Sequence, residues 1–137
     1  MSEPPKIQFT RKRRYTLALT GTVGAGPNVG LTLIAGPITF PYRIVGAEVV
    51  FRDDAANNVW IYLLTSNNTT TSATGPPADT NLLSPFVATA YLVGDGLIKR
   101  VTLDYEAEAT DRYLKVHAVN GNTYAQTISA TVEIEEA

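Results

Sequence analysis

The sequence contains no cysteine among its 137 residues, and histidine and tryptophan occur only once each. The absence of cysteine excludes disulfide frameworks, thiolate zinc sites and cysteine nucleophiles, so packing and hydrogen bonds must stabilise the fold. Long apolar runs are also absent, and none could span a bilayer, so we expect no membrane segment. No apolar stretch follows the first basic residues, so we expect no secretory signal peptide. A chain of this length fits a single domain.

Side chains able to carry out catalysis are correspondingly few. The alternation of its segment places His117 outward, where we expect a solvated imidazole rather than a catalytic base. The acidic pairs Asp53 and Asp54, and Glu106 and Glu108, could serve a glycosidase or bind calcium. Asp53 and Asp54 begin a turn, however, where aspartate is favoured because it bonds to the local backbone. We therefore expect no enzyme, no metal or other cofactor and no small-molecule substrate.

A glycine-rich segment, GTVGAGPNVGLTLIAG at residues 21 to 36, is the one stretch that could suggest a nucleotide site. A phosphate loop needs a lysine and a hydroxyl residue after its last glycine, but Gly30 is followed by Leu31 and Thr32. A dinucleotide site needs a different glycine spacing that opens a helix, whereas this segment continues into the β-prone sequence LTLI. We predict a wide turn between two strands, with glycine supplying unusual backbone angles.

Strict alternation of apolar and polar residues recurs along the chain and predicts strands. Near the end of the chain, for example, Ile128, Ala130 and Val132 fall on one side of their segment and threonine and serine on the other. The predicted strands lie at residues 13–23, 42–52, 58–65, 86–93, 97–105, 112–119 and 124–135. We predict an all-β fold, an antiparallel β-sandwich of seven to eight strands with jelly-roll or another Greek-key topology, as one domain over residues 15–137.

Two connections in this sandwich can be predicted as well. The Asn-Gly-Asn sequence at 120–122 tolerates positive φ angles and predicts that residues 112–135 form a hairpin. Residues 66–81 carry no large apolar side chain and predict a surface loop of unusual length, a kind of loop that is often functional.

The segment VWIYLL, residues 59–64, is apolar on both faces, which is unusual for an antiparallel strand with one wet face. A turn at 54–57 would place Phe51 opposite Trp60, whereas a turn of odd length would exchange the two faces. The preferred register leaves an apolar ribbon uncovered. Its cover is the N-terminal arm, the long loop or another subunit, and we favour another subunit. The predicted interface residues are Val50, Val59, Ile61 and Leu63.

The N-terminal segment is basic. Residues 1–14 hold five basic residues and one acid, so this arm carries a charge of +4 and the remainder −6, for a net charge of −2. A negatively charged body repels phosphate, so any contact with nucleic acid belongs to the arm. The residues expected to bind a phosphate backbone or another anionic partner are Arg11, Lys12, Arg13 and Arg14.

A basic arm with the sequence RKRR, about eight short strands, a long polar loop and no cysteine together resemble small virion structural proteins, the single jelly-roll capsid or decoration proteins of viruses and phages. The resemblance implies a sandwich of two four-stranded sheets, and an arm that ties neighbours together or faces the genome. It also implies a homo-oligomer or association with other virion proteins, and a place in the virion after synthesis in the host cytoplasm.

Two alternatives from other classes stay open. One is a carbohydrate-binding, lectin-like module, which would stack sugars on exposed aromatic rings. The other is a cytoplasmic accessory protein that binds nucleic acid through its basic arm. The aromatic candidates for a sugar platform are Trp60, Tyr62, Tyr91, Tyr105 and Tyr113.

Overall fold

The computed structural model describes residues 12–51, 59–82 and 98–137. The predicted strand at 86–93, the turn that begins at Asp53 and Asp54, and Tyr91 lie outside the described residues. The described residues form eight strands. These are β1 (Arg14–Val23), β2 (Val29–Ala35), β3 (Tyr42–Phe51), β4 (Val59–Ser66), β5 (Thr80–Asn81), β6 (Ile98–Glu106), β7 (Tyr113–Asn120) and β8 (Gln126–Glu136).

The strands form two antiparallel four-stranded sheets that pack as a sandwich. The first sheet has the order β1-β8-β3-β6 and the second the order β2-β7-β4-β5. The first strand thus pairs with the last, the second with the seventh, the third with the sixth and the fourth with the fifth. This nesting of antiparallel pairs across two sheets is the jelly-roll order. The predicted all-β sandwich is confirmed.

Alternation along the strands builds the core between the sheets. In β8, Ile128, Ala130, Val132 and Ile134 are buried, and the residues between them lie on the outer face of the first sheet. Apolar side chains of β3, β4 and β7 meet them from both sheets, including Phe51. Burying one side of each strand in this way provides most of the stabilisation of a sandwich.

The predicted hairpin over residues 112–135 is wrong, because β7 belongs to the second sheet and β8 to the first. Asn120 explains the connection. Its side-chain oxygen accepts the backbone N–H of Asn122 at 2.9 Å, and its amide nitrogen donates to the carbonyl oxygens of Gly24 and Tyr124 at 3.0 and 2.8 Å. These bonds shape a turn that passes from one sheet to the other, so the Asn-Gly-Asn signal marks a bend without strand pairing.

The predicted register between Phe51 and Trp60 is wrong for the same topological reason. β3 and β4 lie in different sheets: Phe51 pairs with Ile128, and Trp60 pairs with Val119.

The expected turn between β1 and β2 is confirmed, since β1 ends at Val23 and β2 begins six residues later. Within that turn the backbone N–H of Gly26 donates to the carbonyl oxygen of Asn122 at 2.6 Å, which ties the two turns together.

Candidate functional site

The predicted apolar ribbon does not form a single surface. Val59, Ile61 and Leu63 point into the core and are at most 2% exposed. Val50 lies opposite Ser129 in the first sheet, and directly paired residues share a face, so Val50 is on the outer face of that sheet. The assignment of Val59, Ile61 and Leu63 to an exposed interface is therefore wrong, because the register on which it depends pairs strands of different sheets. For Val50, which faces outward, the assignment stays a prediction.

The other side of β4 faces outward from the second sheet. Trp60 and Tyr62 are half-buried there, while Leu64 is 1% exposed although it does not belong to the core between the sheets. Leu64 lies directly opposite Lys115 of β7, which is also completely buried. Leu64 and Lys115 are covered by the loop of residues 67–79, called here the polar loop. Atoms of this loop bind the outward side chains of β7.

Lys115 is the first anchor of the polar loop. Its Nζ donates to the Oδ1 of Asn68, the carbonyl oxygen of Thr70 and the Oδ2 of Asp79, each at 2.8 Å. Asp79 is in turn held by Ser66, whose Oγ donates to Asp79 Oδ1 at 2.7 Å. The ammonium group thus has one acceptor for each of its three N–H donors. It can be buried because no donor is left without a hydrogen bond.

His117 is the second anchor. It points outward from its strand as predicted, but it is completely buried, and the expectation of a solvated imidazole is wrong because the polar loop lies over it. Its Nε2 is 2.8 Å from the carbonyl oxygen of Thr74, and its Nδ1 is 2.8 Å from the Oγ1 of Thr32. A carbonyl oxygen only accepts, so Nε2 carries a hydrogen, and in the neutral imidazole Nδ1 accepts from Thr32. Thr32 Oγ1 itself accepts the backbone N–H of Ser72 at 3.1 Å.

Burial favours the neutral form of this imidazole. Burial lowers the pKa of His117 below its ordinary value of 6.5, and the hydrogen bond to Thr74 opposes that change only in part.

Close packing at Gly30 also holds the polar loop against the second sheet. The backbone N–H of Gly30 donates to the carbonyl oxygen of Ala73 at 2.7 Å, and a Cβ atom on Gly30 would collide with the carbonyl oxygen of Thr74.

The outer face of the first sheet has two halves. On β1 and the adjoining half of β8, hydroxyl side chains pair across the strands, with Thr22 and Thr127 3.0 Å apart and Thr20 donating to Ser129 at 3.3 Å. On β3 and β6, by contrast, the face carries ion pairs, including one of 2.9 Å between Arg100 and Glu48 and one of 2.8 Å between Arg43 and Asp104. The hydroxyl half consists of Thr16, Ala18, Thr20, Thr22, Thr127, Ser129 and Thr131.

The basic arm is described only at its end. Lys12 and Arg13 are exposed, and Arg14 opens β1, where its Nε donates to Glu135 at 3.1 Å. Arg11 lies outside the described residues. Of the four predicted arm residues, Arg14 thus belongs to the sheet.

The aromatic residues proposed for a sugar platform are dispersed. Trp60 and Tyr62 are half-buried on the second sheet, Tyr105 packs against the core from β6, and Tyr113 is half-buried at the start of β7. Across residues 12–51, 59–82 and 100–137, Tyr124 is the one large hydrophobic side chain that is exposed, at 44%. A flat row of exposed rings is not formed within these ranges.

The described ranges contain no group of three or more histidine and carboxylate side chains that could hold a metal ion. They also contain no helix with the length and apolar character needed to cross a membrane.

Comparison with known proteins found likeness in structure only. Neither a protein-family model nor a curated protein matches the sequence. The structure is similar to the VP2 subviral particle of infectious bursal disease virus, with a TM-score of 0.53 and 12% identity over 97% of this chain and 37% of that one. It is also similar to the structure of the Gx strain of that virus, with a TM-score of 0.50 and 15% identity over 99% of this chain and 36% of that one.

The likeness is one of fold. The chain spans little more than a third of the length of these two viral chains. A chitosan-binding module of a Paenibacillus chitosanase/glucanase is also similar, with a TM-score of 0.50 and 14% identity over 88% of this chain and 93% of that one. Both the virion interpretation and the carbohydrate-binding interpretation therefore have a counterpart of the same architecture.

Proposed function

We propose that this chain is a non-enzymatic structural protein of a virion, a capsid, decoration or minor virion protein that associates with copies of itself or with other virion proteins. The observation that carries the proposal is the jelly-roll order of its strands, together with the similarity of that fold to the viral subviral particle. Fold alone does not specify function, so the proposal depends on the chain having a surface able to assemble.

The contact surface we propose is the hydroxyl half of the first sheet's outer face, with a second copy of the chain as its occupant. The outward side of the second sheet is occupied by the polar loop, and the β3 and β6 half of the first sheet carries ion pairs. The side chains of the hydroxyl half are short and uncharged. They lose little conformational entropy and need little desolvation of charge when they are covered.

Two matched arginine substitutions test this surface. Thr20 lies in the hydroxyl half and Thr102 in the charged half, and both are exposed strand residues of the same face. Thr20→Arg introduces a charge into the proposed contact, so light scattering should show that the oligomer dissociates while the circular dichroism spectrum is unchanged. Thr102→Arg should leave the oligomer intact. If both variants keep the oligomeric state of the unmodified chain, the hydroxyl half is not the contact surface.

The basic arm has a separate role in the proposal, contact with nucleic-acid phosphate. Lys12 and Arg13 are exposed and free to meet an anionic surface. Each phosphate contact adds about 0.9 to the slope of log affinity against log salt concentration. Replacing both residues with alanine should therefore reduce that slope by about 2 in fluorescence anisotropy titrations with a DNA duplex. A slope that does not change would remove these residues from any nucleic-acid contact.

The carbohydrate-binding alternative has one specific observation in its favour, the similarity to a chitosan-binding module over nearly the full length of both chains. The half-buried state of Trp60 and Tyr62 opposes it, because stacking requires an open ring face. Titration of the chain with chitosan oligosaccharides, followed by the fluorescence of Trp60, separates the two functions. A saturable change in fluorescence would favour the carbohydrate-binding module over the virion protein.

A further inference from the structure

Lys115 has surroundings that suggest a covalent reaction. It is the third residue of β7, is completely buried, and its amine sits between the side-chain amide of Asn68 and the carboxylate of Asp79. A lysine amine is a nucleophile when it is neutral, and an adjacent base can make it so by accepting its proton. A side-chain amide within reach of such an amine is an electrophile.

The distances place the reacting atoms close together. Nζ of Lys115 is 2.8 Å from Oδ1 of Asn68. A carbonyl bond is about 1.23 Å long, so Nζ is within about 4 Å of the carbonyl carbon Cγ of Asn68. Reacting atoms in near-attack geometry are roughly 3–3.5 Å apart. A small rotation of the lysine side chain therefore brings the amine from its hydrogen bond to its attacking position.

We propose that Lys115 and Asn68 form an intramolecular isopeptide bond, with Asp79 as the acid and base of the reaction. Asp79 first accepts one proton from the Lys115 ammonium group, and the neutral amine then attacks Cγ of Asn68. The new bond joins Nζ to Cγ, and the carbonyl electrons move to Oδ1. Protonated Asp79 gives its proton to Nδ2 of Asn68 and takes one from Nζ. The electrons on Oδ1 re-form the carbonyl, the bond between Cγ and Nδ2 breaks, and ammonia leaves.

The reaction balances without an oxidant, a reductant or a cofactor. Ammonia takes the proton that Asp79 then holds, so an ammonium ion departs and the carboxylate of Asp79 is restored. The lysine ammonium and the asparagine amide become one secondary amide and one ammonium ion. The reaction occurs once per chain and is not enzymatic turnover.

The neighbouring groups fit the steps of this reaction. The backbone N–H of Thr70 donates to Oδ1 of Asn68 at 3.0 Å, where negative charge develops during the attack. Ser66 donates to Oδ1 of Asp79, which leaves Oδ2 of Asp79 directed at Nζ of Lys115. Nδ2 of Asn68, the departing nitrogen, donates to Oδ1 of Asn67 at 3.0 Å on the exposed side of the loop. Ammonium can therefore leave into solvent.

The product would fasten the polar loop covalently to the second sheet. Such a link restricts the unfolded chain as a disulfide does, in a protein that has no cysteine to form one. The inference is independent of the assembly proposal, since it concerns one chain alone.

Mass spectrometry of the purified full-length chain tests the bond. The intact mass should be lower than the mass calculated from the sequence by one ammonia. Trypsin should fail to cleave after Lys115, and one product should join residues 53–99 to residues 113–137. A folded chain with the unmodified mass, after prolonged incubation at neutral pH, would overturn the proposal.

Two variants identify the reacting groups. Lys115→Arg keeps a charged donor but cannot form the amide. Asp79→Asn keeps the shape of the side chain but removes the base. Both variants should therefore have the intact mass calculated from their sequences, with no loss of ammonia. Loss of ammonia that persists in Lys115→Arg would mean that an asparagine cyclises with its own backbone, and it would contradict the proposal. The measurement on the unmodified chain decides the question even if a variant does not fold.

Discussion

Ile61 provides the sharpest test of which side of β4 faces the core. Replacing it with alanine removes three carbon atoms from a side chain that is 1% exposed. At about 0.8 kcal/mol per buried carbon, the loss of burial alone amounts to about 2.4 kcal/mol. Ala118, directly opposite on β7 and fully buried, carries only a methyl group and cannot fill the space. With the remaining cavity included, we expect Ile61→Ala to lower the free energy of unfolding by about 2–5 kcal/mol.

Urea denaturation followed by the fluorescence of Trp60, the only tryptophan, measures this loss directly. Val50→Ala is the matched control, because the sequence places Val50 and Ile61 in one ribbon whereas the structure separates them. Val50 is half-buried on the outer face of the first sheet, so its loss should stay below about 1 kcal/mol. Equal losses in the two variants would refute the inward orientation of Ile61.

Two further predictions concern the covered face of the second sheet. Because burial lowers the pKa of His117, the unfolded chain binds a proton below about pH 6.5 that the folded chain does not. The free energy of unfolding should therefore fall as the pH is lowered from 7 to 5, by at most about 1.4 kcal/mol per pH unit from this group. Urea midpoints should show a smaller dependence in His117→Gln, and an equal dependence would remove His117 as its source. Gly30→Ala places a methyl group against the carbonyl oxygen of Thr74, whereas Gly75→Ala meets no atom within 4 Å. Hydrogen exchange should therefore accelerate in the polar loop only in Gly30→Ala, with a loss of about 1–3 kcal/mol in stability; unchanged exchange there would contradict the close approach.

Alternation was enough to predict most strands. The apolar positions of β8, from Ile128 to Ile134, are buried as their period of two requires. The strands found at β1, β3, β4, β6 and β7 begin within one residue of their predicted starts. The missed strands are β2, whose glycine-rich sequence resembles a turn, and β5, which is only two residues long.

Strand pairing could not be predicted in the same way. A hairpin signal such as Asn120-Gly121-Asn122 is local, whereas the jelly roll pairs strands far apart in sequence. Both faces of β4 are apolar because both are covered. Ile61 packs in the core between the sheets, and Leu64 lies beneath the polar loop. Alternation cannot distinguish the sides of such a strand.

The polar loop was predicted as a surface loop, and as a cover for β4 only as an alternative to the favoured second subunit. A loop without large apolar residues has no hydrophobic signal that would indicate packing against a sheet. Its anchors are hydrogen bonds and an ion pair, and their partners, Lys115 and His117, are residue types that usually face solvent. The one available signal was the position of both residues on the outward side of the same strand.

The central claim is that the chain is an assembly protein, and sedimentation velocity of the purified full-length chain tests it most directly. We predict a discrete oligomer or closed particle whose size is constant over a range of low micromolar concentrations. A monomer with an intact β-sheet spectrum at every concentration would contradict the claim.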